Sequence, residues 1–485
     1  MEQEVKKKDL IKLDETVYEI PREFRADMQV PARLFASEAI IDDILEDRSL
    51  WQLANVATLP GIAKRALAMP DIHQGYGFPI GGVAATIVDQ GGVISPGGIG
   101  YDINCGVRLL AVNMNADELK PYLPKLADEL FARVPSGVGQ GGKVKLSLGE
   151  LDNVIKGGAP YMLTQGYGQL GDIDRCEENG CMPDADPRSI SEQAKKRGSD
   201  QLGTLGSGNH FLEVQRVDEI FDAKIAQAFG LKLNQVVVMI HCGSRGLGHQ
   251  VCTDYVRLMM PKVKEWGIEL PDRELVCAPF QTREAQEYFS AMKGAANFAW
   301  ANRHLIGHWV REAFEATVGK DAKVSMVYDL SHNMGKLETH ILNDKPTKLL
   351  VHRKGATRAF PAGHPEVPEQ YRAYGHPVLI PGTMGTSSYV LVGTEEGMQV
   401  AFGSSCHGAG RRLSRAKAKK TIRGTELRKD LEAHGILIRC DSDAGLSEEA
   451  PIAYKDVEDV VDVVQKSKIA RKVVRLTPLA VIKGG

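Results

Sequence analysis

The sequence predicts a mixed α/β (α+β) protein: one large domain over residues 1–485, with central sheets flanked by helices. Three observations lead there. Short β-branched runs, Val236-Val237-Val238-Met239-Ile240 and Val324-Ser325-Met326-Val327-Tyr328, read as buried strands. Longer stretches carry apolar residues at helical spacing. The two signals alternate irregularly, which argues against a doubly wound sheet or a regular barrel.

In chain order, the first clear helical pattern covers 116–134, with Leu119, Leu123, Leu126, Leu130 and Val134 on one face. Residues 135–190 are rich in Gly, Asp, Asn and Pro and read as a loop-rich excursion. The run 236–240 delivers His241 at its C-terminal end, and the run 324–328 leads to His332. Between them a helix is expected over roughly 282–318, a stretch without proline. A helix at about 455–470 precedes a strand-like tail from Arg471 to Ile482, which ends in Lys483-Gly484-Gly485.

Hydrophobic residues make up 43% and charged residues 25%, so a folded chain is expected rather than a disordered one. Lys plus Arg is 60 against 62 for Asp plus Glu, so any nucleic-acid site must be a local basic patch. Eight cysteines in 485 residues do not form a disulfide framework. The N-terminus lacks the apolar stretch of a signal peptide, and no run approaches the roughly 20 apolar residues of a membrane span. A reduced, cytoplasmic enzyme is the expectation.

Candidate chemistry lies in five glycine-bedded islands. Asp102 and Cys105 sit in Gly97-Gly98-Ile99-Gly100-Tyr101-Asp102-Ile103-Asn104-Cys105-Gly106. His210 sits in Gly208-Asn209-His210-Phe211-Leu212-Glu213, His241 in His241-Cys242-Gly243-Ser244-Arg245-Gly246, and His332 in Ser331-His332-Asn333. One thiolate, one carboxylate and three imidazoles suffice for two metal ions sharing a sulfur. Thiolate with imidazole favours zinc but also suits cobalt, nickel or manganese once a carboxylate joins. Any one of these residues alone reads sooner as a buried structural cysteine or an ordinary core or capping histidine; the five together do not.

The fifth island, Ser404-Ser405-Cys406-His407-Gly408-Ala409-Gly410-Arg411, places a histidine among phosphate-binding groups. A neutral imidazole can attack phosphorus and carry it as a phosphoramidate, while glycine N–H groups and Arg411 hold the phosphates. His407 also reads as a sixth metal ligand or a general acid. Gly382-Thr383-Met384-Gly385-Thr386-Ser387-Ser388 is a hydroxyl-rich loop able to hold a nucleotide, or an ordinary turn. Arg197, Arg245, Arg353, Lys354, Arg411, Arg412 and Arg415 can build a basic face, or stand solvated one by one.

Other motif matches fail. Gly137 to Lys143 has the spacing of a phosphate loop, but Val144 stands where a hydroxyl is needed. Gly166 to Gly171 has dinucleotide spacing with no strand before it. His304 and His308 share a helix face without the metalloprotease glutamate, and Cys176 and Cys181 have no second pair.

Taken together, and with Met69-Pro70-Asp71-Ile72-His73-Gln74-Gly75, these motifs resemble the RtcB family of RNA-splicing ligases over nearly the whole chain. The resemblance implies the family's own α/β fold and GTP-dependent joining of RNA ends with two Mn(II) ions per active site. One end carries a 2′,3′-cyclic phosphate or 3′-phosphate, the other a 5′-hydroxyl. Carried over by motif, Asp102, Cys105 and His210 would hold one ion, and Cys105, His241 and His332 the other. His407 would take GMP from GTP. Asn209, Phe211, Glu213, Thr383, Ser388, Tyr454 and Lys483 would surround the guanosine, with Phe211 and Tyr454 at the base. Asn333, Lys354, Gly408, Ala409, Gly410 and Arg411 would be further nucleotide or phosphate contacts. Arg197, Arg245 and Arg415 would meet RNA phosphates. Asp71 would act behind the metal ligands or on the cyclic phosphate. Thr383 departs from the serine of the family motif but keeps its hydroxyl.

The implied partners are RNA with broken or spliced ends such as tRNA halves, GTP, and an archease-like activator of the kind found with some members; no membrane is involved. Attack by His407 needs a neutral ring, so activity should fall in acid. RNA ends held by arginines and shape should be bound with little sequence preference. The competing enzyme reading is a binuclear metal phosphoesterase acting on RNA ends without nucleotide. The competing non-enzymatic reading is a metal-dependent RNA-binding protein that leaves the ends unchanged.

Overall fold

A computed structural model of the chain describes residues 4–137 and 139–484. The ends of the expected 1–485 unit, Gly485 of the terminal motif, and Val138 within the Gly137–Lys143 match lie outside them. The mixed α/β class expected from the sequence is the class observed. Among the described residues no helix is long and apolar enough to cross a membrane.

Two large sheets organise the molecule. The first runs in the order Ile11–Asp14, Val17–Ile20, Ala32–Phe35, Ala66–His73, Ile80–Ile87, Lys345–Lys354, Met334–Leu342. The second runs Val324–Ser331, Gly106–Asn115, Gln235–Cys242, Phe211–Ile220, Ala470–Lys483, Ser388–Gly393, Pro377–Ile380, and Leu437–Cys440 pairs in parallel with Ala470–Lys483. The second sheet is covered on both faces. Leu110 and Val112 join the main core, whereas Val107, Leu109 and Ala111 of the same strand join a separate apolar cluster. This explains why its strands read as continuous apolar runs.

The proline-free stretch folds into one helix, Arg283–Thr317, capped by Thr282 accepting from the Ala285 N–H. It touches both sheets, through Gln235–Cys242 of one and Met334–Leu342 of the other. His304 and His308 on it serve packing: His304 Nε2 lies 2.8 Å from the Tyr167 carbonyl, and His308 Nδ1 accepts from the Gly168 N–H at 3.2 Å.

Two expectations need correction. The pattern at 116–134 is two helices, Ala116–Leu119 and Leu123–Arg133, because Pro121 and Pro124 interrupt the hydrogen-bond ladder; the apolar face is as read, with all five residues buried. The excursion at 135–190 contains a 17-residue helix, Leu148–Thr164, started by a capping box between Ser147 and Glu150. Gly158, at φ 53°, kinks it, and Pro160 follows at the start of the second segment.

Arg353 does not belong to a basic face. It is 2% exposed and grips Glu338 at 2.5 Å and the Ser404 hydroxyl at 2.8 Å. Nearby, Lys336 and Arg358 pair with Glu177 and Glu178. Burial raises the Glu177 carboxyl, but these cations outweigh it and hold it down at about 2. A carboxyl depressed in the folded state stabilises above its unfolded value and loses that contribution as pH falls toward its folded value. Thermal melts should therefore drop steeply below about pH 4.5, and Glu177→Gln should flatten that dependence. Equal acid slopes for the two proteins would contradict the assignment.

Candidate active site

Antiparallel pairing in the second sheet gathers the histidine islands. The start of Gly106–Asn115 lies between the ends of its neighbours, with Gly106 opposite both Cys242 and Ser331. Phe211, the first residue of its strand, lies opposite His241. Cys105, His210, His241 and His332 therefore converge at one end of one sheet, on rigid strand termini. Asn104 turns the chain into Cys105 with a left-handed backbone, φ 50°, which asparagine tolerates well.

The side chains form two groups sharing Cys105. Asp102, Cys105 and His210 make one; Cys105, His241 and His332 the other; within each, the ligating atoms lie within 4.8 Å of one another. Cys105 Sγ is 3.3 Å from His241 Nε2 and 3.5 Å from His210 Nε2, and His210 Nε2 is 2.9 Å from Asp102 Oδ2. Gly243 lets the Asp102 carboxylate approach, since an added Cβ there would meet its Oδ1 at 2.3 Å.

The donor chemistry suits divalent cations. Both ring nitrogens of His332 are buried without a hydrogen-bond partner, a costly arrangement that a coordinate bond would relieve. Burial pushes His241 and His332 well below the usual histidine range, which keeps them in the neutral, electron-donating form. Burial, with Asp102 nearby, pushes the Cys105 thiol up to about 11, so its thiolate needs a cation beside it.

His407 follows the short strand Ser404–Cys406, which pairs with Ala356–Arg358 apart from the two large sheets, and Asp71 lies in Ala66–His73 of the first large sheet. Asp71 Oδ2 accepts from the His407 N–H at 3.0 Å and the Gly408 N–H at 3.3 Å, and meets His407 Nδ1 at 2.5 Å. As a carboxylate it only accepts, so the proton sits on Nδ1 and the lone pair on Nε2. Gly410 is required by close approach: with φ 75°, an added Cβ would meet the Asp71 carbonyl oxygen at 2.1 Å. The rings of His407, His332, His241 and His210 follow one another at centroid separations of 5.3, 5.2 and 5.6 Å.

These groups open into one cleft of about 320 Å³. Its lining includes Asp102, Cys105, Asn209, Phe211, His241, His332, Asn333, Lys354, Thr383, His407, Gly408, Ala409, Gly410, Arg411, Arg415, Tyr454 and Lys483. Asp71, His210, Glu213 and Ser388 stand behind that lining. Glu213 is 1% exposed, accepts from Gln215 at 2.7 Å, and is pushed up by burial to about 8. The same Gln215 amide reaches the Ser388 hydroxyl at 3.0 Å. Arg197 and Arg245 lie outside the lining, on Gln250 at 3.0 Å and the Thr204 hydroxyl at 3.2 Å.

Several expected contact residues are already engaged. Arg411 donates to Glu449 and the Tyr454 hydroxyl, both at 3.0 Å, and to the carbonyls of Glu448 and Leu413. It lies 4.9 Å from the Tyr454 ring centroid, so here it fixes that ring rather than presenting an open fork. Lys483 donates to the carbonyls of Gly208 and His210 and so steadies the His210 loop. Lys354 donates to the Tyr76 and Phe78 carbonyls at 2.6 and 3.1 Å, and burial pushes it down to about 8. Thr383 keeps its hydroxyl in use, 3.1 Å from that of Thr386.

The groups that hold the ligands in place carry almost no signal in the sequence. Fully buried Arg303 donates to the carbonyls of Asn104 and Cys242, each at 2.8 Å, and to Asp329 at 2.7 Å. One guanidinium thus fixes the backbone beside Cys105 and His241 and the strand that ends at His332. Its only sequence signal is a charge on the buried face of a long helix. Arg303→Met should cost roughly 3–5 kcal/mol of stability, because it breaks a buried ion pair and orphans two carbonyls. Denaturant unfolding checks this; a loss under about 1 kcal/mol would contradict it. Glu449, which accepts from Arg411 and Tyr454, was likewise not read from the sequence.

The family model described as "tRNA-splicing ligase RtcB" matches residues 52–484. A protein of that name from Thermococcus kodakarensis is 55% identical over 478 residues, covering 98% of this chain and 99% of the relative. One from Archaeoglobus fulgidus is 53% identical over 478 residues with the same coverage, 98% and 99%. One from Methanococcus maripaludis is 50% identical over 481 residues, covering 99% of this chain and 100% of the relative. With such identity along almost its entire length, and with the cysteine and histidines of the motifs brought to one sheet end, this chain belongs to the RtcB family of tRNA-splicing ligases.

Proposed function

We propose that this RNA ligase joins a 2′,3′-cyclic phosphate or 3′-phosphate end to a 5′-hydroxyl end, in cytoplasmic tRNA splicing and RNA repair. The reaction uses GTP and two Mn(II) ions and passes through GMP carried on His407, with residues 1–485 acting as one catalytic unit. The observation that carries this reading is the Asp71-held His407 in the same cleft as the two ligand groups. A phosphoesterase would need the ligand groups alone.

Asp102, Cys105 and His210 would hold one ion, and Cys105, His241 and His332 the other. The ions would act as Lewis acids on phosphate oxygens. The rest falls to the chain. His407 Nε2 attacks the α-phosphorus of GTP, the N–P bond forms, and pyrophosphate leaves. The ring gains positive charge, which Asp71 offsets from the Nδ1 side, as the buried carboxylate does in a Ser-His-Asp triad. After water has opened any cyclic phosphate, a 3′-phosphate oxygen of the RNA takes the GMP and restores the neutral ring. The 5′-hydroxyl then attacks that phosphate, GMP leaves, and the hydroxyl proton passes to water. Phe211 and Tyr454 would meet the guanine, Arg415 the RNA backbone.

Asp71→Asn should slow the formation of labelled protein about 10²–10⁴-fold, because the charge facing Nδ1 is lost. Single-turnover labelling with GTP reads it, and a wild-type rate would remove Asp71 from the mechanism. The reading as a whole is tested by offering RNA with 3′-phosphate and 5′-hydroxyl ends, Mn(II), and either GTP or ATP. Joined product with GTP only is expected. Loss of terminal phosphate with no joining and no nucleotide requirement would favour the phosphoesterase.

A further inference from the structure

We propose that Tyr76, Tyr101 and His249 form a shelf on which a nucleobase at an RNA end stacks, beside the ligand group built on Asp102. The proposal rests on the RNA-joining reading and adds where one base goes. The Tyr76 and Tyr101 rings meet edge to face, 5.3 Å between centroids and 70° between planes. His249 lies almost parallel to Tyr101, at 5.9 Å and 29°. The three rings make one continuous aromatic surface that is not closed over: Tyr76 and Tyr101 are half-buried and His249 is exposed. Tyr76 and Tyr101 line the cleft, and Tyr101 immediately precedes Asp102.

None of the three rings is needed for the metal groups or for His407. Their place suits an RNA strand. Single-stranded ends are held by bases splayed onto aromatic rings, with cations on the phosphates between them. The cations are present: Arg245 begins the helix Arg245–Met259 that carries His249, and the charges of both Arg245 and Arg197 are felt at His249. Arg197 joins them through Gln250 of the same helix. Stacking reads any base by its π-face, which agrees with an enzyme that joins ends of many sequences.

The test pairs protein variants with RNA lacking one base. Ligation is measured with RNAs that carry either a normal or an abasic terminal nucleotide, on the 3′-phosphate strand or on the 5′-hydroxyl strand. For wild type, removing the base from one of the two ends should raise KM roughly 5- to 150-fold, the worth of one base–aromatic stack. In Tyr101→Leu the same removal should cost nothing further, and Tyr101→Trp should restore the penalty. An equal abasic penalty in wild type and Tyr101→Leu would overturn the shelf. So would a Tyr101→Leu protein whose KM rises for GTP while wild type ignores the missing RNA base, since the shelf would then hold guanine. Should the leucine variant fold poorly, quenching of 2-aminopurine placed at the RNA terminus reports stacking on wild type. Unquenched fluorescence at both ends in the saturated complex overturns the proposal. These results are separable from failure of the ligase reading, in which wild type would join no RNA at all.

Discussion

His407→Ala is expected to abolish both the covalent capture of GMP and RNA joining, by about 10⁴-fold or more, the usual scale for loss of a nucleophile. Among the described residues, the other imidazoles lining the cleft are placed differently: His332 and His241 belong to a ligand group, and His73, whose ring centroid is 6.5 Å from that of His407, turns its Nδ1 to the Asp71 backbone carbonyl and not to a carboxylate. The fold should survive, because Asp71 keeps two acceptances, from the residue 407 and Gly408 N–H groups. Metal content and thermal stability close to wild type, with ligation gone, would show that the loss is chemical. Residual joining within about 10-fold of wild type would leave His407 an accessory residue.

Cys105→Ala carries the second large effect. Cys105 belongs to both ligand groups, so its loss should empty both positions, whereas Asp102→Ala or His332→Ala should each weaken one. Ligation should fall about 10³-fold or more, the scale at which lost electrostatic stabilisation of a reacting phosphate is felt. Metal content after gel filtration measures it directly: about two ions for wild type, one for Asp102→Ala and none for Cys105→Ala under the proposal. Cobalt substitution adds a check independent of activity, since a thiolate-to-metal charge-transfer absorption should vanish with Cys105. Retention of both ions by Cys105→Ala would rule out the shared sulfur.

The local parts of this site were legible because their signals are local. The runs 236–240 and 324–328 are β-branched and apolar, and His241 and His332 stand at their ends as expected. What brings them together was not legible. The order Val324–Ser331, Gly106–Asn115, Gln235–Cys242, Phe211–Ile220 is set by pairing between residues far apart in sequence, which no short window contains. Arg353 was misread for a related reason: a charge in an alternating strand reads as outward unless its partner, Glu338 on the neighbouring strand, is known. The helix Leu148–Thr164 was hidden by Gly157, Gly158 and Pro160, although the Ser147–Glu150 cap marks its start. Asp71 stood out by motif resemblance alone. Its grip on His407 joins the first large sheet to the residue that follows Ser404–Cys406, and appears only in three dimensions. Arg303 gave only a charge on the apolar face of a helix, and an arginine in a helix reads as solvated until the fold closes over it.

The central claim is that His407 carries the nucleotide. The most direct measurement incubates the protein with Mn(II) and GTP labelled at the α-phosphate, then locates the label by peptide mass mapping. The account predicts GMP on His407 Nε2, stable to base, labile to acid, and discharged by RNA bearing a 3′-phosphate. A label on another residue, or none on protein whose metal positions are shown to be filled, would contradict it.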